Sequence, residues 1–259
     1  GLMAGDKILQ IDEMPTAGLE VEEAIKNIRG DVGTDVSLLI MRDGWNEARE
    51  FTITRAVITI PTIDFEMKPG KIAYIALHNF NANVPTLFYQ TALEAVVQGA
   101  RGVVLDLRNN PGGFLDVAVN LSGWFLERGS IVVVERFHTG AEERLRARGN
   151  AAFAETPVVV LVNGGSASAS EILAGALRDN RSIKLIGSQT FGKGSVQEVE
   201  TLKDASSLKI SIAEWLTPKG HKINRVGLTP DVVVEPPVEA DGDPQLEKAL
   251  EVIAAEIAS

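Results

Sequence analysis

The chain has 259 residues, 45% of them hydrophobic and 23% charged, which are the proportions of a soluble globular protein able to bury a core and to hold one or two domains. Its 25 Lys and Arg against 35 Asp and Glu give a net charge of −10, which repels phosphate backbones and excludes nucleic acid as an expected partner. There is no cysteine, the three histidines (His78, His138, His221) lack metal-ligand spacing, and apolar runs such as Val158 to Val162 fall far short of the ~20 residues of a membrane span, so no metal, cofactor or transmembrane helix is expected.

In chain order, the opening Gly1-Leu2-Met3-Ala4-Gly5-Asp6 has neither the basic nor the apolar stretch of a secretory signal and reads like the interior of a domain. The chain is therefore expected to be a fragment of a longer precursor, with the first strands of its first domain missing. A strand at Lys7 to Ile11, a helix at Val21 to Ile28 and a hairpin of Val36 to Met41 with Glu50 to Thr54 around Asp43-Gly44 make a small first domain, 1–57.

A second domain, 58–259, alternates strand and helix. Strands are predicted at Ile72 to Leu77, Gly102 to Leu107, Ile131 to Glu135, Pro157 to Val162 and Ile183 to Ile186. Helices are predicted at about Thr86 to Gln98, with Leu87, Leu93, Val96 and Val97 lining one face, at Leu115 to Glu127 and at Ser168 to Arg178. Continuous Val/Leu strands between helices imply a mainly parallel sheet, and beyond Gly194 the chain becomes strand-rich. The tail from Glu235 carries seven acids (Glu235, Glu239, Asp241, Asp243, Glu247, Glu251, Glu256). Its Asp243-Pro244 starts an amphipathic helix with Leu246, Leu250, Ile253 and Ile257 facing the body.

Three segments carry candidate chemistry at the carboxyl ends of predicted strands, where parallel sheets bind ligands. Leu105 to Gly113 runs into a diglycine whose amides can face an anion. In Asn163 to Glu171 a strand, a tight turn and a helix follow one another, so a hydroxyl there lies near the positive end of the helix dipole. The same Ser168-Ala169-Ser170-Glu171 fits a capping box that needs no function. Gly192-Lys193-Gly194 places a lysine where the backbone can approach closely, yet the phosphate-loop frame fails because Gly194 follows the lysine. Asp106 and Arg108 read as an ion pair, Trp124 and Phe125 as core or pocket rim, and Trp215 as packing or a groove border. The histidines read as loop or surface residues, which disfavours a Ser-His-Asp triad.

Together Leu105 to Gly113, Asn163 to Glu171, Thr190 to Gln197, Thr217-Pro218-Lys219-Gly220 and Gly227-Leu228-Thr229-Pro230-Asp231 closely resemble the C-terminal processing peptidases, or tail-specific proteases. These are S41-type serine proteases with a Ser/Lys pair and a PDZ domain, and Gly1 to Leu9 resembles part of that PDZ domain. The resemblance implies an α/β fold, a crotonase/ClpP-like protease core with a parallel-rich sheet, helices and a strand-rich C-terminal part, preceded by a partial PDZ domain. It implies Ser168 as nucleophile, Lys193 as general base, Gln197 as the group orienting the amine, the amides of Gly113 and Ala169 as oxyanion hole, and Glu171 as a supporting acid. Spacing alone leaves Ser166 and Ser170 as alternatives to Ser168. A lysine serves as base only when neutral, so an apolar, water-excluding pocket around Lys193 is required.

The activity implied is endoproteolysis near the C-terminus of protein or peptide substrates with apolar tails, in an extracytoplasmic compartment, with the bacterial periplasm or cell envelope preferred over a chloroplast lumen. A homo-oligomer or a regulatory adaptor protein stays open as a partner. The rival readings are a catalytically inactive PDZ-containing homologue and a crotonase-type acyl-CoA enzyme.

Overall fold

A computed structural model of the chain describes residues 2–3, 5–57, 61–202, 206–235 and 242–258, and it divides into two compact units, 1–60 and 61–259. In the first unit, β1 (Lys7–Ile11), β2 (Met14–Pro15), α1 (Val21–Ile28), β3 (Asp35–Met41) and β4 (Arg49–Thr54) form an antiparallel sheet of order β2-β1-β3-β4 with one helix. Alternation along β3 sends Val36, Leu38 and Ile40 inward to meet Ile11, and the intervening residues outward.

The second unit runs through β5 (Ile63–Lys68), β6 (Ile72–Leu77), α2 (Val84–Val97), β7 (Gly102–Asp106), α3 (Leu115–Phe125), β8 (Ile131–Phe137), β9 (Glu142–Arg146), β10 (Val158–Val162), α4 (Ala169–Arg181), β11 (Lys184–Gly187), β12 (Ser195–Thr201), β13 (Ser207–Leu216), β14 (Val232–Val233) and α5 (Pro244–Ala258). Its main sheet has the order β14-β11-β10-β7-β6-β5, parallel except for the edge strand β5. The strands are apolar throughout because both faces are covered, and period two sorts their side chains. Val103, Leu105, Val158, Val160 and Val162 join the core under α2, α3 and α4, whereas Val104, Val159 and Leu161 join Ile186, Ala249 and Ile253 under α5. A second sheet, antiparallel and ordered β12-β13-β8-β9, carries the strand-rich part beyond Gly194.

The parallel-rich core and the terminal helix agree with the sequence. Helix α5 starts at Pro244, Asp243 Oδ1 accepts the Leu246 N–H at 3.0 Å, and Leu246, Leu250, Ile253 and Ile257 all pack on the sheet. Of the acidic tail, Glu239 and Asp241 lie outside the described residues. One expected face is wrong. Helix α2 buries Val84, Phe88, Ala92 and Ala95, while Leu93, Val96 and Val97 are exposed and Leu87 is half-buried. The helix is apolar nearly all round, so periodicity discriminated poorly, and the alanines allow the closer approach to the sheet. Strands β5 and β9, both at sheet edges and rich in charge, were not foreseen.

Candidate active site

Three loops leave the carboxyl ends of the neighbouring strands β7, β10 and β11, and side-chain amides stitch the first two together. Asn163 Oδ1 accepts the N–H groups of Asn109 at 2.8 Å and Gly165 at 2.9 Å, and its Nδ2 donates to Asn109 Oδ1 at 3.0 Å. Buried Asn110 donates to the Leu77 carbonyl at 2.6 Å and accepts the Gly112 N–H at 2.9 Å, while its own carbonyl accepts from Ala167 N and Ser170 Oγ. Gly112 has φ 94°, and a Cβ there would lie 2.6 Å from the Ala167 carbonyl and 2.8 Å from Ser168 Cβ. Only glycine lets the two loops touch. Gly113, at φ 151°, bridges to Phe80, whose carbonyl a Cβ would strike.

The three serines of the second loop have different tasks. Ser166 is fully buried, donates to the Leu107 carbonyl at 2.8 Å and accepts the Asn163 N–H at 3.0 Å. Ser170, also fully buried, donates to the Asn110 carbonyl at 2.9 Å. Both hydroxyls are structural ties. Ser168 instead has φ 57° and ψ −115°, although an N-cap serine ordinarily keeps an extended backbone. Such a non-glycine conformation costs about 1–3 kcal/mol and persists only where the surroundings impose it, as at strand-turn-helix nucleophile elbows. It places the residue at the amino end of α4, where the dipole favours negative charge. Among the described residues the amides of Gly113 and Ala169 find no acceptor.

Glu171, fully buried in the first turn of α4, holds the third loop to this turn. Its Oε2 accepts the N–H groups of Ser168 and Lys193, each at 2.9 Å, and its Oε1 accepts from Thr190 Oγ1 at 2.6 Å and Gly192 N at 2.7 Å. Both arms of the capping box are present, the Ser168 side chain facing the Glu171 backbone and the Glu171 side chain accepting the Ser168 N–H, and the Glu171 arm serves more than the helix. Two 2.9 Å legs meeting on one oxygen put the backbone nitrogens of Ser168 and Lys193 no further apart than about 5.8 Å. Thr190, whose Oγ1 also accepts the Leu228 N–H at 2.6 Å, and Asn110 are framework residues to which the sequence reading gave no role. Both are uncharged residues inside glycine-rich motifs, where charge and hydropathy give no signal.

The expected enclosure of the lysine is absent. Lys193 and Gln197 are exposed, and among the described residues the Lys193 ammonium has no hydrogen-bonding or ionic partner and the Gln197 amide does not reach it. The reason lies in the backbone: Glu171 holds this part of the loop through the Gly192 and Lys193 N–H groups and leaves the Lys193 side chain untouched, and β12, which carries Gln197, is the edge of its sheet. Exposed Phe114 and Phe191 follow the diglycine and Thr190 respectively and give the two outer loops apolar rims.

The remaining candidates resolve as follows. His78 Nε2 contacts Asp64 at 2.7 Å, His138 Nδ1 contacts the Ile212 carbonyl at 3.3 Å, and His221 is exposed, so no histidine bonds Ser168. Trp124 joins Phe88, Tyr89 and Phe153 in an aromatic cluster, with Phe125 buried beneath. The Trp215 indole N–H is buried without an acceptor among the described residues. Asp106 and Arg108 form the expected ion pair, at 2.6 Å.

With this geometry in hand, comparison with known proteins is informative. The profile of Peptidase family S41 matches residues 71–234. A carboxyl-terminal-processing protease of Synechocystis sp. is 38% identical over all of this chain and 62% of its own length. A carboxy-terminal-processing protease of Bartonella bacilliformis is 38% identical over 92% of this chain and 56% of its own. The chain thus spans about three-fifths of the length of these relatives. Among solved structures, the photosystem II D1 C-terminal processing protease superposes on 100% of this chain and 69% of its own with a TM-score of 0.73 and 33% identity.

Proposed function

The chain belongs to Peptidase family S41, and from that premise we propose that it is a serine endopeptidase which cleaves protein substrates near their C-terminus with a Ser168/Lys193 pair. The observation that carries the reading is the backbone of Ser168: φ 57° and ψ −115° are strained where a capping serine ordinarily keeps an extended backbone, and they fall on the one serine of the three whose hydroxyl, among the described residues, is not tied to another loop. Ser168 Oγ attacks the scissile carbonyl while the Lys193 amine takes its proton. The amides of Gly113 and Ala169 hold the oxyanion. The amine returns the proton to the leaving nitrogen, and water activated by the same amine hydrolyses the acyl-enzyme.

A lysine does this only when neutral and shielded from water, and here its side chain lies in solvent. The shared Glu171 oxygen supports the pairing nonetheless, because side-chain rotation alone, with the backbone kept in place, can swing the amine toward position 168. A substrate lying in the cleft supplies the missing cover, and Gln197 then steadies the amine. The first unit is read as the PDZ module for apolar C-terminal tails, with Val21 and Ile25 of α1 exposed for the contact. The protein is placed outside the cytoplasm, and no described helix is long and apolar enough to cross a membrane.

The test is proteolysis of an unfolded protein ending in an apolar tail, together with labelling by a fluorophosphonate. Ser168→Ala and Lys193→Ala should each abolish turnover, and the label should map to Ser168. Cleavage by Ser168→Ala would overturn the reading.

A further inference from the structure

The diglycine loop is braced from behind by a residue almost at the far end of the sequence. Arg108 opens that loop, and its guanidinium spends all five N–H donors on one cluster. Nε and Nη2 donate to Asp106, Nη1 and Nη2 grip the two oxygens of Asp243 at 2.7 and 2.8 Å, and Nη1 reaches Gln245 Oε1 at 3.1 Å. Asp106 also accepts the Arg108 N–H at 2.9 Å and the Tyr74 hydroxyl at 2.8 Å. The Arg108 side chain is 15% exposed and that of Asp106 7%. Burial disfavours the charged guanidinium, but its bonds to Asp243 and Asp106 outweigh burial and raise its pKa. The guanidinium in turn holds the Asp243 carboxyl below its ordinary pKa.

Asp243 is 135 positions from Arg108, caps α5 through Leu246 N, and lies past the stretch matched to the family. Gln245 anchors the same turn by donating to the Val234 carbonyl at 2.6 Å. A bidentate fork fixes orientation as well as distance. Arg108 is three residues from Pro111 and starts the path to Gly112, which lies against Ser168, and to Gly113, whose amide has no acceptor among the described residues.

Building on the proposed oxyanion role of Gly113, we infer that Asp243 is a positioning residue for catalysis: through the Arg108 fork, the head of the terminal helix sets the pitch of the diglycine loop and thereby aims the Gly113 amide. The partner it serves is the negatively charged oxygen of the tetrahedral state, not the ground-state peptide, so its removal acts on kcat.

Asp243→Asn tests this, because the amide oxygen can still accept the Leu246 N–H while the second carboxylate of the fork is lost. In the purified protein, kcat should fall at least tenfold with KM within twofold. Affinity for a peptide aldehyde, which forms an oxyanion-bearing adduct with Ser168, should fall by the same factor as kcat, and Asp243→Glu should recover part of both. Peptide binding measured in a Ser168→Ala background should not change. Leu246→Ala loosens α5 without touching the fork, so it should lower the melting temperature and leave kcat intact below it. Unchanged kcat and aldehyde affinity in Asp243→Asn, or an equal loss of kcat in Leu246→Ala, would overturn the inference. Either result leaves the Ser168 assignment standing, since only cleavage by Ser168→Ala removes that.

Discussion

Ser168 sits in a wall of saturated hydrogen bonds, with Asn110, Asn163, Ser166, Ser170 and Glu171 each tying one loop to another. Lys193 and Gln197, only a loop away, leave their side chains in solvent and are held by backbone alone. The difference teaches that the two halves of the proposed dyad obey different rules. The strained nucleophile needs an overdetermined frame to persist, whereas the amine needs freedom until a substrate arrives to strip its water. Stability and activity should therefore respond separately on the two sides.

The comparison is broken most severely at Glu171. Replacing it with Ala leaves donors on two loops unpaired, and global stability measured by urea unfolding should fall by about 3 kcal/mol with turnover lost even in the folded fraction. Ser166→Ala removes two hydrogen bonds and Ser170→Ala one, and they should cost about 2 and about 1 kcal/mol respectively while sparing activity per folded molecule. Loss of turnover in either, with stability unchanged, would contradict the division of roles among the three serines. On the other side Gln197→Ala should lower kcat several-fold and leave the urea midpoint where it was. A fall in that midpoint would show the side chain to be part of the frame after all.

The smallest effect concerns Glu135 on β8, whose carboxyl is pushed up by burial and by nearby Glu143. A carboxyl with a raised folded pKa binds its proton more tightly in the native state. Its contribution to stability is full below the unfolded value and is lost as pH rises through the folded one. Glu135→Gln should therefore raise the melting temperature slightly at neutral pH, and the gain should vanish in acid where both proteins carry a neutral group.

Much of this was legible beforehand because period-two burial and strand-turn-helix alternation leave strong marks, as in β7, β10 and α4. The three loops were found because glycine beside Ser, Asn or Lys at strand ends has few bland explanations. What was hidden depended on partners distant in sequence. The buried face of α2 was set by the sheet beneath it, and β5 and β9 are edges whose pairing, not composition, makes them strands. The Glu171 bridge needed the third loop to be in place before a helix cap could be read as a joint. The openness of Lys193 was not visible either, since an amino-acid type records a chemical capacity and not the solvent around it.

The Arg108 brace also has a bearing on timing. A polypeptide emerges from the ribosome amino end first, so Ser168, Lys193 and the diglycine are all made before Asp243 exists. On the inferred role of Asp243, an unfinished copy of this chain carries a nearly complete set of cutting tools with a misaimed anion cradle. By the same inference, the cradle is aimed only once Asp243 at the head of α5 has joined Arg108.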